Sequence, residues 1–212
     1  MDIAAVAALA PVIPVLTIEN ATGAVPLARA LVKGGLPALE ITLRTPAAID
    51  ALKAIVADVP DAVVGAGTVL NEAQLDQAQR AGARFGVSPG CTPALALAIE
   101  KSGMPFLPGV QTVSEAMALA ERGFRFLKFF PADTTGGPAW LKAITAPLPE
   151  IQFCPTGGIN QENAPSYLAL PNVACVGGSW VAPRAAVAAG RWAEIEKLAA
   201  DAARLKRKST SP

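Results

Sequence analysis

The chain has 212 residues, 52% of them apolar and 17% charged, with a formal net charge of +1. That is comfortable for one well-cored domain and short for two, and so large an apolar share excludes a disordered chain. The near-neutral balance sets up no global field for nucleic acid or an acidic membrane. The absence of histidine removes Ser-His-Asp triads, imidazole bases and the usual His-ligated catalytic zinc.

In chain order, the first feature is an uncharged run from Ile3 to Ile18. Asp2 stands where a targeting peptide carries basic residues, and Pro11 and Pro14 interrupt any spanning helix. The expectation is a short N-terminal helix on a soluble, cytoplasmic protein, with no membrane partner. Beyond it, short β-rich runs alternate with Ala/Leu-rich stretches at helical spacing. Strands are predicted at Val12–Ile18, Ala38–Leu43, Ala62–Ala66, Phe85–Val87, Pro105–Leu107, Phe126–Phe130, Ile151–Cys154 and Val173–Val176. Helices are predicted between them at Val25–Lys33, Ala47–Asp58, Glu72–Ala81, Pro93–Lys101, Val113–Arg122, Ala139–Thr145, Ala164–Leu170 and Trp192–Leu205. Asn71 before Glu72 and Thr92 before Pro93 are helix-start signals, while Gly34, Gly82, Gly103 and Gly123 mark ends.

Eight β-then-α units with nearly continuous apolar strands imply a parallel sheet covered by helices. The count favours an α/β fold of one domain over residues 1–212, a (β/α)8 TIM barrel behind the N-terminal helix. A doubly wound sheet is the alternative, but Thr17-Ile18-Glu19-Asn20 stands where a dinucleotide-binding Gly-rich turn belongs. The basic cluster Arg204, Lys206, Arg207, Lys208 reads as the solvated, fraying end of the last helix. Cys91, Cys154 and Cys175 show no Cys-x-x-Cys spacing, so they read as small core residues in a reducing compartment.

Barrel active sites gather at the C-terminal strand ends. In the second strand, period two puts Leu39, Ile41 and Leu43 on one face and Glu40, Thr42 and Arg44 on the other. Helices cover the outside, so the polar set should face the lumen, where charges need partners. Glu40 and Arg44 could be a structural ion pair or part of a site. In the sixth strand, Lys128 sits among apolar neighbours. Desolvation disfavours its ammonium form and leaves a neutral amine able to attack a ketone and form a Schiff base; the alternative is a lysine that snorkels to the rim. Strands two and six lie opposite each other in an eight-strand barrel, so Glu40 and Lys128 could meet across it.

Thr156-Gly157-Gly158-Ile159-Asn160 and Gly177-Gly178-Ser179-Trp180 follow strands seven and eight. Turns there are a frequent phosphate site of this architecture. Gly65-Ala66-Gly67-Thr68 and Ser88-Pro89-Gly90 supply small residues at strand ends three and four, to leave room for substrate or to pack helix on sheet.

These segments, with Leu39-Glu40-Ile41-Thr42-Leu43-Arg44-Thr45, Lys128-Phe129-Phe130-Pro131-Ala132 and Cys154-Pro155-Thr156-Gly157-Gly158-Ile159, resemble the 2-keto-3-deoxy-6-phosphogluconate (KDPG) and 4-hydroxy-2-oxoglutarate (KHG) aldolase family. The likeness runs from about Pro11 to Pro183. It implies a homotrimeric, metal-free (β/α)8 class I aldolase of the Entner–Doudoroff pathway, with no cofactor. The substrate would be a small phosphorylated 2-keto acid, split to pyruvate and glyceraldehyde 3-phosphate. Carried over by motif, Lys128 forms the Schiff base and Glu40 is the general acid/base. Arg44 and Thr68 hold the keto-acid carboxylate end, with Pro89 and Phe130 lining the pocket. Thr156 contacts the substrate hydroxyl, and Gly157, Gly158, Gly178 and Ser179 bind phosphate. Cys91 departs from the aliphatic residue common there, which bears on fine specificity. An aldolase for the galactonate epimer is the nearest alternative. A sugar-phosphate epimerase or isomerase using Glu40 as base, and a non-catalytic metabolite binder, are the readings from other classes.

Overall fold

The computed structural model describes residues 1–207, so Lys208 of the basic cluster lies outside the described residues. The strands are β1 (Val12–Leu16), β2 (Ala38–Thr42), β3 (Val63–Gly67), β4 (Phe85–Val87), β5 (Phe106–Leu107), β6 (Gly109–Val110), β7 (Phe126–Phe129), β8 (Gln152–Pro155) and β9 (Val176–Gly178). The helices are α1 (Ile3–Ala8), α2 (Ala24–Lys33), α3 (Ala48–Asp58), α4 (Glu72–Arg80), α5 (Pro93–Ser102), α6 (Val113–Glu121), α7 (Gly137–Ile144), α8 (Ala164–Leu168), α9 (Arg184–Ala188) and α10 (Trp192–Ala203). Every ladder is parallel. The strands form a six-stranded sheet, β5-β4-β3-β2-β1-β9, and a three-stranded sheet, β6-β7-β8. Isolated parallel bridges join Phe153 to Val173 and Thr156 to Gly177.

The fold is α/β with helices packed on parallel strands, as the alternation of apolar runs implied. Helix starts follow their side-chain chemistry. Asn71 accepts from the Gln74 amide at 3.0 Å and Thr92 from the Leu95 amide at 3.2 Å, with Pro93 in the first turn. Thr112 and Glu115 form a reciprocal capping box on α6, which satisfies amides that no helix can pair internally. Asp2 caps α1 by accepting from Ala5 at 2.8 Å. No helix among the described residues is long and apolar enough to cross a membrane.

Side-chain alternation sorts two apolar layers. Leu39, Ile41, Val64, Ala66, Leu127, Phe129 and Phe153 belong to the large layer beneath the helices. Ile13, Ala38, Val63, Phe85, Val87 and Leu107 form a smaller inner cluster with Val6 and Ala7 of α1. The N-terminal helix therefore plugs the N-terminal ends of the strands and leaves the polar inner positions at their C-terminal ends.

Four departures from the sequence reading have local causes. Pro108 has no amide to donate, so the fifth strand breaks there. Leu107 O accepts from Ser88 N on one side, and Pro108 O accepts from Lys128 N at 2.9 Å on the other. The last strand starts later than Val173 and includes Gly177 and Gly178, paired with Ile13 and Pro14; these glycines are strand, not turn. Helix α9 lies between Pro183 and Gly190, both ordinary punctuation. Finally, Arg207 is exposed as expected but is not a free end: its guanidinium donates to the carbonyls of Ala7 and Ala8, each at 3.1 Å, across the C-terminus of α1.

Candidate active site

Lys128 lies on β7, in register with Gly109 and Cys154, and Glu40 lies on β2, opposite Gly65 of β3. Both point inward from different sheets. Lys128 Nζ stands 3.3 Å from Glu40 Oε1, and the two residues are 5% and 3% exposed. Charges that deep persist only when they meet. The amine is also 5.3 Å from the centroid of the Phe130 ring. Gly67 makes the carboxylate's room: a Cβ there would run into Glu40 Oε1 and Cγ. Behind Lys128, Phe129 stacks on Trp140 with centroids 4.2 Å apart, and Trp140 meets Phe153 edge-on. This clamp grips β7 from its helix side.

Arg44 does not share the Glu40 position that period two suggested. The strand ends at Thr42, and Arg44 N–H turns back to Thr42 O at 2.8 Å, which carries the guanidinium to the exposed rim. Among the described residues it makes no ion pair with Glu40. Instead Arg44 Nη2 donates to Thr17 Oγ1 at 2.8 Å. Thr17, missing from the predicted set, is legible in hindsight: Ile13, Val15 and Thr17 share the inward parity of β1.

Thr68, just past β3, is half-buried and holds φ at 57°. That is uncommon for a β-branched residue and is found where function fixes the backbone. Ser88 is fully buried and accepts from Gly109 N–H at 3.2 Å; it braces β4 against β6 beside half-buried Pro89. Thr156 is buried with its amide on Phe129 O, and a Cβ on Gly177 would meet its hydroxyl. Gly157 and Gly158 both have positive φ, 99° and 78°, in a turn packed on Phe130 and Asp133. Gly178 is fitted under the Trp180 ring, and Ser179 is exposed.

A cavity of about 780 Å³ opens between the end of β1, α9 and the start of α10. Thr17, Arg44, Ser179, Arg184 and Trp192 border it, while Lys128 and Glu40 do not. Two groups of predicted residues are thus brought together. Lys128 meets Glu40 and the Phe130 ring, with Gly157 packed on Phe130. Arg44 and Ser179 face the adjoining cavity.

Cys91 and Cys175 are poor nucleophiles here. Burial pushes the Cys91 thiol up to about 11, against a partial pull from Arg122. A hydrogen bond with Cys154, then burial, raises Cys175. All three are free, and no cluster of metal-ligating side chains occurs among the described residues.

The sequence profile of the family described as KDPG and KHG aldolase matches residues 3–198. A 2-dehydro-3-deoxy-phosphogluconate aldolase of Pseudoalteromonas atlantica is 52% identical over 192 residues, 91% of this chain and 89% of the relative. The KHG/KDPG aldolase of Escherichia coli K12 is 49% identical over 192 residues, 91% and 90% of the two chains. The KDPG aldolase of Legionella pneumophila, solved with pyruvate captured as a covalent carbinolamine intermediate, superposes with a TM-score of 0.94 at 48% identity, covering 96% of this chain and 98% of that one. Parallel strands, a buried amine against a carboxylate and these relatives define a lyase of the Schiff-base class. The chain belongs to the KDPG and KHG aldolase family.

Proposed function

We propose that this chain cleaves 2-keto-3-deoxy-6-phosphogluconate to pyruvate and glyceraldehyde 3-phosphate through a Schiff base on Lys128. The observation that carries this reading is the 3.3 Å contact between Lys128 Nζ and Glu40 Oε1, buried where water cannot compete. The amine adds to the ketone carbon, and the carbinolamine loses its oxygen as water to give the imine. Glu40 takes the proton of the hydroxyl on the carbon two positions away. The bond between that carbon and the methylene carbon next to the imine then breaks: its electrons flow into the imine to give an enamine, and the aldehyde leaves. Glu40 returns a proton to the enamine carbon, and water hydrolyses the imine to release pyruvate and the free amine.

Arg44 and Thr68 serve the keto-acid carboxylate, with Pro89 and Phe130 as pocket walls. Thr156 contacts the substrate hydroxyl. Gly157, Gly158, Gly178 and Ser179 hold the phosphate; a turn with two successive left-handed glycines is a backbone concavity suited to an anion. Unphosphorylated 4-hydroxy-2-oxoglutarate is a second substrate on this reading, since it needs only the Lys128 end. The whole chain forms one domain that closes as a (β/α)8 barrel, with β5 and β6 as halves of one strand. The Phe153–Val173 and Thr156–Gly177 bridges support that closure. A homotrimer is part of this reading, and light scattering in solution tests it. Three free cysteines fit a cytoplasmic setting.

The test of the chemistry is borohydride reduction in the presence of pyruvate. The chain should gain the mass of a reduced pyruvate adduct on Lys128, and Lys128→Ala should lose both adduct and turnover. An adduct that persists on the Ala variant would assign the nucleophile elsewhere.

A further inference from the structure

Arg44 is exposed at the rim, yet its guanidinium is tied into a chain of hydroxyls that ends in the core. Arg44 Nη2 donates to Thr17 Oγ1 at 2.8 Å. Thr17 Oγ1 lies 3.3 Å from Thr42 Oγ1, and Thr42, 1% exposed, donates to Leu16 O at 2.9 Å. A hydroxyl has one proton. Thr42 has committed its own to Leu16, so in its contact with Thr17 it can only accept. Thr17 must therefore donate to Thr42, which leaves its lone pairs for Arg44. The three bonds run in one sense from guanidinium to buried carbonyl, and each polarises the next. Because a guanidinium has five N–H donors, binding Thr17 through one leaves the others for a carboxylate.

We propose that Thr17 is a positioning residue that presets Arg44 for the carboxylate of the 2-keto acid. The proposal rests on the reading of Arg44 as the carboxylate anchor. Thr17 and Arg44 border the same cavity, and the Thr17 hydroxyl holds the guanidinium on that wall before substrate arrives. An arginine fixed in advance does not lose its rotamer freedom at the moment of binding. The effect belongs to ground-state capture, away from the Lys128–Glu40 chemistry.

Thr17→Val keeps the branched shape and removes the acceptor. It should raise KM for the 2-keto acid about three- to tenfold, the scale of one lost ordering contact, with kcat within about twofold of the parent. The pyruvate concentration that half-saturates borohydride trapping should rise by the same factor. Thr17→Ser restores the oxygen and should restore both constants. In an Arg44→Ala background, Thr17→Val should add nothing. If Thr17→Val does not fold, Thr17→Ala carries the same test. A fall in kcat with KM unmoved, or equal effects with and without Arg44, overturns the proposal. If Arg44→Ala raises KM but Thr17→Val does not, only the proposal falls. If Arg44→Ala itself leaves KM unchanged, the anchor reading falls with it.

Discussion

Replacing Glu40 by glutamine changes one buried atom and two predicted quantities. The side chain keeps its shape above Gly67, so no cavity opens, and an amide oxygen or nitrogen stays near Lys128 Nζ, where the carboxylate stood at 3.3 Å. What is lost is the proton acceptor, and no histidine exists to substitute for it. Turnover should fall by roughly the 10²- to 10⁴-fold typical of a removed general acid–base group. Breaking a buried ion pair from one side costs about 3–5 kcal/mol. In a chain of this length each kcal/mol moves Tm by about 2–4 °C, so Tm should drop by roughly 6–20 °C. The double variant Glu40→Gln/Lys128→Met, with no amine left unpaired, should regain part of that loss. The assay is proton NMR of pyruvate in deuterated water, which follows exchange of the methyl protons through the enamine without any aldehyde. Exchange should slow with turnover, while borohydride trapping still occurs, more slowly. A glutamine variant that exchanges methyl protons at the parent rate refutes the reasoning: Glu40 would then be a structural counter-charge, and the base would lie elsewhere.

Two further outcomes test the periphery. Ser179→Ala should cut kcat/KM for the phosphorylated substrate by roughly tenfold, the low end for a hydrogen bond to a charged group at an exposed position, and should leave 4-hydroxy-2-oxoglutarate nearly unaffected; equal losses on both would remove Ser179 from the phosphate end. Iodoacetamide should label Cys91 slowly at pH 9, where an unshifted thiol is half ionised. With its value near 11, pH 9 lies two units below it and about a hundredfold less thiolate is present there than at full ionisation, and the labelling rate should climb steadily toward pH 11. A rate that levels off by pH 9 would mean the thiol is not held up by burial.

The Lys128–Glu40 pair was legible because a charged residue at an inward position among aliphatic neighbours has few places to go. The strands were legible for the same reason: Leu39-Glu40-Ile41 and Leu127-Lys128-Phe129 alternate against two environments. What escaped notice was set by contacts distant in sequence. Gly177 and Gly178 looked like a turn because glycine disfavours strands in isolation; pairing with Ile13 and Pro14 overrides that preference. Arg44 followed period two only on paper, since a turn at the end of β2 redirects it, and Thr17 gained meaning only once Arg44 arrived beside it. Arg207 was read by its charge, whereas the α1 carbonyls it meets lie 200 positions away.

That last contact bears on how the chain comes off the ribosome. The first strand emerges early, but one of its two edges waits for β9, and α1, packed against the N-terminal ends of the strands, waits longer still for Arg207. Until then β1 presents unpaired amides and carbonyls to the cell, the kind of edge that invites pairing with a neighbouring chain. Proline at position 11, whose carbonyl later accepts from Val176 N–H, leaves that edge one donor short at its start, so the exposed edge is a weaker template during the interval before its partner is made.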